Sequence, residues 1–262
     1  MEYHFNPQEQ TAALVAWIQE EMHKIGAQKA VIGLSGGKDS SVVAALMTKA
    51  LGHEQVFGLL MPNGYQEDID YAYGIARHLH IRYATLDLCG ASKAYDAMIH
   101  AAMDAFGGTV SKQTTINLPP RLRMALLYAV AQSLDAVVIN TSNLSEDWVG
   151  YATVYGDTAG AFSPLGRLTT DEVIAIGAEL GVPEKFLTKA PTDGLTGKKD
   201  EDVLGFSYEI LNRYLRLGEK PNTAILERID KLNKASRFKF MPIPMYDPKL
   251  PLLAEDIAGI YS

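Results

Sequence analysis

Val31-Ile32-Gly33-Leu34-Ser35-Gly36-Gly37-Lys38-Asp39-Ser40-Ser41 joins a short apolar run to a polar turn, and the turn to a stretch of helical period. Glycines in such a turn let backbone N–H groups approach an anion, and the helix N-terminus behind it adds the positive end of its dipole. The stretch therefore reads as strand, phosphate cradle and helix, with a polyphosphate as its natural ligand. It is not a Walker A loop, which needs a glycine five residues before Gly-Lys-Ser/Thr; here Lys38 is followed by Asp39. The dinucleotide fingerprint G-x-G-x-x-G is absent as well.

Outward from this stretch, apolar runs alternate with longer segments of helical period, the pattern of a parallel sheet covered by helices. Residues 30–34, 55–60, 82–86 and 136–140 are candidate strands, and 40–51 (Val43, Met47 and Leu51 on one face), 67–79, 92–106 and 119–134 are candidate helices. Segments 107–118, 141–168 and 188–200 read as irregular; helical segments follow at 200–217 and 222–235, and then the proline-rich Met241-Pro242-Ile243-Pro244. The expected fold is α/β, a doubly wound parallel sheet of about five strands with helices on both faces, plus C-terminal helical segments. In such sheets ligands sit at the carboxyl ends of the strands, so the loops opening at Ser35, Met61 and Thr141 should meet in one crevice.

Composition agrees. With 262 residues, 47% hydrophobic and 21% charged, the chain suits one large core. We expect a single domain over 1–262, with an N-terminal helix within 1–27, a nucleotide-binding core at 28–190, and C-terminal helices and tail at 191–262. The start, Met1-Glu2-Tyr3-His4-Phe5-Asn6-Pro7, has no basic region followed by an apolar run, and the apolar stretches are short, so neither membrane insertion nor secretion is expected. One cysteine, Cys89, cannot form an internal disulfide, which suits a reducing cytoplasm. A formal charge of −7 argues against a nucleic-acid partner.

Asp39 stands just behind the cradle, and Glu146 lies in Asn140-Thr141-Ser142-Asn143-Leu144-Ser145-Glu146-Asp147, past the end of a different candidate strand. Two hard oxygen ligands that meet beside phosphate are what Mg2+ takes, together with water and phosphate oxygens.

Ser-Gly-Gly-x-Asp-Ser after a hydrophobic strand resembles the pyrophosphate loop of ATP pyrophosphatases, which split ATP between its α and β phosphates. Five further blocks follow in order. These are Asn117-Leu118-Pro119-Pro120-Arg121-Leu122-Arg123-Met124, Thr141 to Glu146, Gly150-Tyr151-Ala152-Thr153-Val154-Tyr155-Gly156-Asp157, Pro164-Leu165-Gly166-Arg167-Leu168-Thr169, and Lys189-Ala190-Pro191-Thr192-Asp193-Gly194-Leu195. Together they resemble the ammonia-dependent NAD synthetases over about residues 33–214. The resemblance implies a ligase that makes NAD, AMP and diphosphate from deamido-NAD, ATP and ammonia. It implies that Gly33, Leu34, Ser35, Gly36, Gly37, Lys38, Asp39 and Ser40, with Thr141, Thr170 and Thr192, hold ATP, and that Asp39 and Glu146 hold Mg2+. Arg121, Arg123, Asp157 and Arg237 would grip deamido-NAD, and Lys38, Asp39 and Asp157 would carry catalysis. A homodimer is implied too.

The chain departs from the family pattern in places. Lys38 stands where many members have Gln, Thr170 where many have Lys, Val154 where a lysine is usual and Ala161 where an acid is usual; Ser236-Arg237 replaces a His-Lys pair. These departures mark a subfamily or a shifted acceptor. Glutamine-using relatives append a glutaminase domain with a nucleophilic cysteine, and this sequence has no room for one, so ammonia is the expected donor, free or from a separate glutaminase. Cys89 reads as a small buried residue. Two rival functions are another pyrophosphate-loop enzyme, such as a tRNA thiolase or an amidase of a different carboxylate, and a non-catalytic adenine-nucleotide binding module. A thiolase needs paired cysteines and a basic surface, which are missing here; a module has no use for the paired acids.

Overall fold

Ala30, Val31 and Ile32 are wholly buried, so the strand they form must be covered on both faces. The computed structural model describes residues 3–189 and 200–250. The chain enters through helix α1 (Pro7–Ile25), capped by the Asn6 side chain, and runs through β1 (Ala30–Gly33), α2 (Lys38–Leu51), β2 (Val56–Leu60), α3 (Ile69–His78), β3 (Arg82–Thr85), α4 (Cys89–Phe106), α5 (Lys112–Ser133) and β4 (Val137–Val138). Helices α6 (Leu144–Trp148), α7 (Thr170–Glu179), α8 (Glu184–Leu187), α9 (Asp200–Leu204), α10 (Tyr208–Leu217) and α11 (Thr223–Ser236) follow.

Among the described residues the sheet has four parallel strands in the order β3-β2-β1-β4, with Ala30 opposite both Val56 and Val137. Alternation along the strands sends Ile32 and Leu60 into a core with α1, α2, α3, α7 and α8, and sends Val31, Leu59 and Val138 into a second core against α5. Helices therefore cover both faces, as expected. A third cluster, built from Val149, Leu204, Phe206, Tyr208, Leu211 and Ile229, seats α10 and α11 beside α6.

The fifth strand is reduced to one parallel bridge, Ile139 to Phe162, flanked by bonds from Ala161 N to Val138 O and from Asn140 N to Phe162 O. Its neighbours keep it short: Pro164 has no N–H, and Gly160 lies so near β4 that a Cβ there would stand 2.6 Å from the Asn140 nitrogen. Segment 107–118 is irregular as expected only as far as Ser111; the rest is helix. Ser111 caps Thr114 N, and α5 starts at Lys112 and carries on through Pro119 and Pro120, which forfeit two amide donors without ending it. Conversely, 200–217 is two helices, because Gly205 adopts φ +81° and Ser207 caps a new start. Segment 141–168 contains the short α6, capped by Asn143.

β1, β2 and β3 run to one side of the sheet and β4 to the other, so the switch point lies between β1 and β4. The turn after β1 presses on the next layer: Gly36 is buried with φ +74°, and a Cβ there would lie 2.4 Å from the Ala72 nitrogen in α3. Gly36→Ala should therefore cost about 2 kcal/mol or more of stability, read as a lower urea midpoint, since both the backbone sign and the space are wrong. An unchanged midpoint would mean that α3 can yield.

Candidate active site

The cradle is built by hydroxyls folded back on the turn. Ser35 and Ser40 Oγ lie 3.0 Å apart, Gly37 N donates to Ser35 Oγ at 3.2 Å, and Ser40 Oγ donates to Gly37 O at 3.3 Å. α2 then starts on Gly37 with no side-chain cap, whereas Asn6, Ser111 and Asn143 cap α1, α5 and α6. The first-turn amides of α2 are thus left to whatever anion occupies the turn.

Across the switch point, β4 and the loop after it bring in α6. Asn143 is fully buried and spans the gap: its Nδ2 donates to Asp39 Oδ1 at 3.0 Å, and its Oδ1 accepts from Glu146 N at 3.1 Å. Asp39 and Glu146, separated by more than a hundred residues, then face one point, which the Lys38 ammonium occupies at 2.7 Å from Asp39 Oδ2 and 3.4 Å from Glu146 Oε1. Burial alone would lower the Lys38 ammonium, but the two carboxylates outweigh it and hold it above the ordinary lysine range. A cation is therefore already favoured where these acids converge, which is the fit a magnesium ion needs.

The far wall is made by α5 and the loop after α6. Arg123 Nε donates to Met61 O at 3.0 Å, just past β2, and Arg121 Nε to Val154 O at 3.2 Å. Burial pushes the Arg123 guanidinium down, with Asp157 offsetting it. Asp157 Oδ1 accepts from Thr153 N at 2.5 Å, and Asn140 Nδ2 donates to Asp157 O at 2.7 Å. The Asp157 side is open to solvent yet crowded by protein atoms, as befits a crevice wall; desolvation raises its carboxyl despite the Thr153 bond and the nearby Lys239 and Arg123. Lys239 Nζ binds Gly150 O and Ala152 O at 2.8 and 2.7 Å.

Of the expected site residues, 33–40, Asp39, Glu146, Arg123 and Asp157 are thus brought to the carboxyl end of the sheet, with Thr141 one step beyond Asn140. Thr170 is not brought there as a free contact. It is buried, its Oγ1 accepts from Asn212 Nδ2 at 2.7 Å, and its N donates to Ser145 Oγ. Arg237 instead reaches Asn233 on the preceding turn, and the cation that meets the Asp157 loop is Lys239. Thr192 lies outside the described residues. Ser236 is buried against Gly150, whose φ of +69° and missing Cβ admit it. Sequence reasoning passed over Asn143, although Asn at 143 with Glu at 146 is a helix-start signal. It also passed over Asp147, and over Asn140, Asn212 and Lys239, whose partners are distant in sequence.

The fold, with an uncapped helix start and two converging acids at its switch point, defines an α/β nucleotide-binding enzyme of the pyrophosphate-loop class. Residues 10–240 match the profile of NAD synthase. The NH(3)-dependent NAD(+) synthetase of Carboxydothermus hydrogenoformans is 36% identical over 236 residues, 89% of this chain and 95% of that protein. Among solved structures, NMN synthetase from Francisella tularensis superposes with a TM-score of 0.85 at 33% identity, over 93% of this chain and 100% of that one. The NH3-dependent NAD synthetase from Campylobacter jejuni, in complex with the nitrate ion, gives 0.74 at 27% identity, over 93% and 100%. The chain belongs to the NAD synthase family. No helix among the described residues is long and apolar enough to cross a membrane.

Asp147, beside Glu146, has an Oδ1 with no hydrogen-bond partner among the described residues. Burial, with the Asp157 charge adding to it, pushes the Asp147 carboxyl up to about 7. The folded chain then keeps a proton that the unfolded chain sheds above about pH 4, so this group removes stability as pH rises from about 4 to 7. Asp147→Asn should exceed wild type in stability at pH 8 by on the order of 1–3 kcal/mol, with the gap closing toward pH 4. A gap independent of pH in thermal melts would refute this.

Proposed function

We propose that the protein adenylates the nicotinate carboxylate of deamido-NAD with ATP and amidates it with ammonia, giving NAD, AMP and diphosphate. The observation that carries this reading is the convergence of Asp39 and Glu146 beside the uncapped start of α2. A carboxylate does not react with ammonia near neutral pH, because its charge repels nucleophiles and oxide is a very poor leaving group. Attack of a carboxylate oxygen on the α-phosphorus breaks the bond to the β-phosphate and gives a mixed anhydride. Ammonia then displaces AMP and gives up a proton.

Most of the protein's work is alignment and charge neutralisation. The amides and hydroxyls of 35–40 would hold the departing diphosphate. Asp39 and Glu146 would hold Mg2+, which when bound offsets phosphate charge. Arg123 and Arg121 suit the acceptor's phosphates, and Asp157 suits a ribose hydroxyl or the developing ammonium.

The acceptor site draws on the departures at Val154, Ala161 and Ser236, and the closer superposition on an NMN synthetase favours a second reading, in which the acceptor is the nicotinate mononucleotide. The chemistry at the carboxylate is the same. Homodimer formation belongs to this proposal: α4 buries none of its eighteen residues, and Tyr95, Met98 and Phe106 on it, with Tyr128 of α5, are exposed. Residence in the cytoplasm, with ammonia free or delivered by a separate glutaminase, completes it.

Three measurements test the proposal. Purified protein with ATP, Mg2+ and ammonium should form AMP and NAD from deamido-NAD; faster amidation of nicotinate mononucleotide would establish the second reading, and tight ATP binding without turnover would leave a binding module. Asp39→Asn should lose on the order of 10²-fold or more in turnover with unchanged circular dichroism, and wild-type turnover would remove its metal role. Met98→Glu should shift sedimentation from dimer to monomer, and a variant that stays dimeric would place the interface elsewhere.

A further inference from the structure

Lys38 is the first residue of α2, where the helix dipole disfavours a cation, and it is almost wholly buried. Something must outweigh both effects, and the structure provides it: carboxylate oxygens of Asp39 and Glu146 at 2.7 and 3.4 Å from one Nζ. The Asp39 carboxylate and the helix that bears Glu146 are both anchored. Asn143 holds the Asp39 carboxylate by one bond and the start of α6 by another, while Ser145, next to Glu146, is fixed to Asn212 at 2.6 Å. The ammonium therefore sits where a divalent ion bound by both carboxylates would have to sit, and two cations cannot share that place.

We propose that Lys38 is an internal counter-ion that reserves the metal seat, so that a divalent cation binds only by displacing its ammonium, and that the incoming triphosphate drives the displacement. This inference rests on the reading that Asp39 and Glu146 hold magnesium. Lys38 belongs to the same turn that cradles phosphate, so the ammonium exchanges a carboxylate pair for a phosphate oxygen without leaving the site. Nucleotide and metal then load together: the empty protein keeps its acids neutralised by its own lysine. Gln at this position, as in many relatives by resemblance, offers no charge to displace.

The test measures Mn2+ binding by the electron spin resonance of the free ion, with and without a non-hydrolysable ATP analogue, in wild type, Lys38→Gln and Lys38→Met. Without nucleotide, both variants should bind Mn2+ at least about tenfold more tightly than wild type, because no ammonium competes. The analogue should tighten Mn2+ binding by a larger factor in wild type than in either variant. Metal-free variants should also melt below wild type, and Mn2+ alone should restore them. Lys38→Met keeps the apolar stem, so it carries the test if Lys38→Gln does not fold. Equal Mn2+ affinity in all three proteins overturns the competition and leaves the metal reading in place. No Mn2+ binding in any of them, even with the analogue, overturns both.

Discussion

Two like charges carried at the starts of separate helices are held around one ammonium, and the architecture follows from how that is achieved. Asp39 follows β1 and Glu146 follows β4, so the acids meet only because these strands are neighbours across the switch point. Parallel pairing of Ala30 with Val137 sets the two loops at the same end. Asn143 then fixes the approach from inside, and Lys38 neutralises the pair. Removing one partner of such a group costs more than the group contributes as a whole, because the remaining charge is left desolvated. That asymmetry is why the network extends so far. Ser145, Thr170, Asp171 and Asn212 bond one another behind α6, tying the helix that bears Glu146 to α7 and α10.

The legibility of the sequence followed the range of the interactions. The cradle was readable because strand, glycine turn and helix start are consecutive, and β1, β2 and β4 because burial gives short apolar runs; β3 is exposed along its length and is marked only by its place between two helical stretches. The start of α5 was not readable, since Pro119 and Pro120 look like a helix start and only the cap at Ser111 reveals that the helix is already under way. Thr170 looked like a substitute for a phosphate-binding lysine. Nothing local says that Asn212, forty-two residues later, will claim its hydroxyl. Arg237 and Lys239 lie two apart in the turn just past α11, and only contacts between distant segments, Ser236 against Gly150 and Lys239 on the carbonyls of Gly150 and Ala152, tell them apart.

The two sides of the crevice differ in how they treat charge. On the cradle side, the acids are matched by an ammonium and by a side-chain amide, and the unmatched groups are backbone donors suited to an anion. On the other side, Asp147 and Asp157 lie near one another in a wall crowded by protein atoms but open to solvent at Asp157, and the nearby cations spend hydrogen bonds on carbonyls, Arg123 on Met61 and Lys239 on Gly150 and Ala152. A wall of that kind holds its acids above the ordinary carboxylate range.

This difference matters for a reaction that begins with a carboxylate anion and ends with its capture by ammonia as an amide. The first half-reaction brings two negatively charged partners together and expels a third, so it calls for donors and counter-ions of the kind found on the cradle side. The second makes an N–H acid that must shed a proton, and a carboxylate held above its ordinary range is a better proton acceptor than one at its ordinary value. Both environments lie at the carboxyl ends of β1 and β4. The residues that separate the two environments are Asn140 and Asn143, which bond to Asp157 and Asp39 respectively and lie three residues apart in one loop.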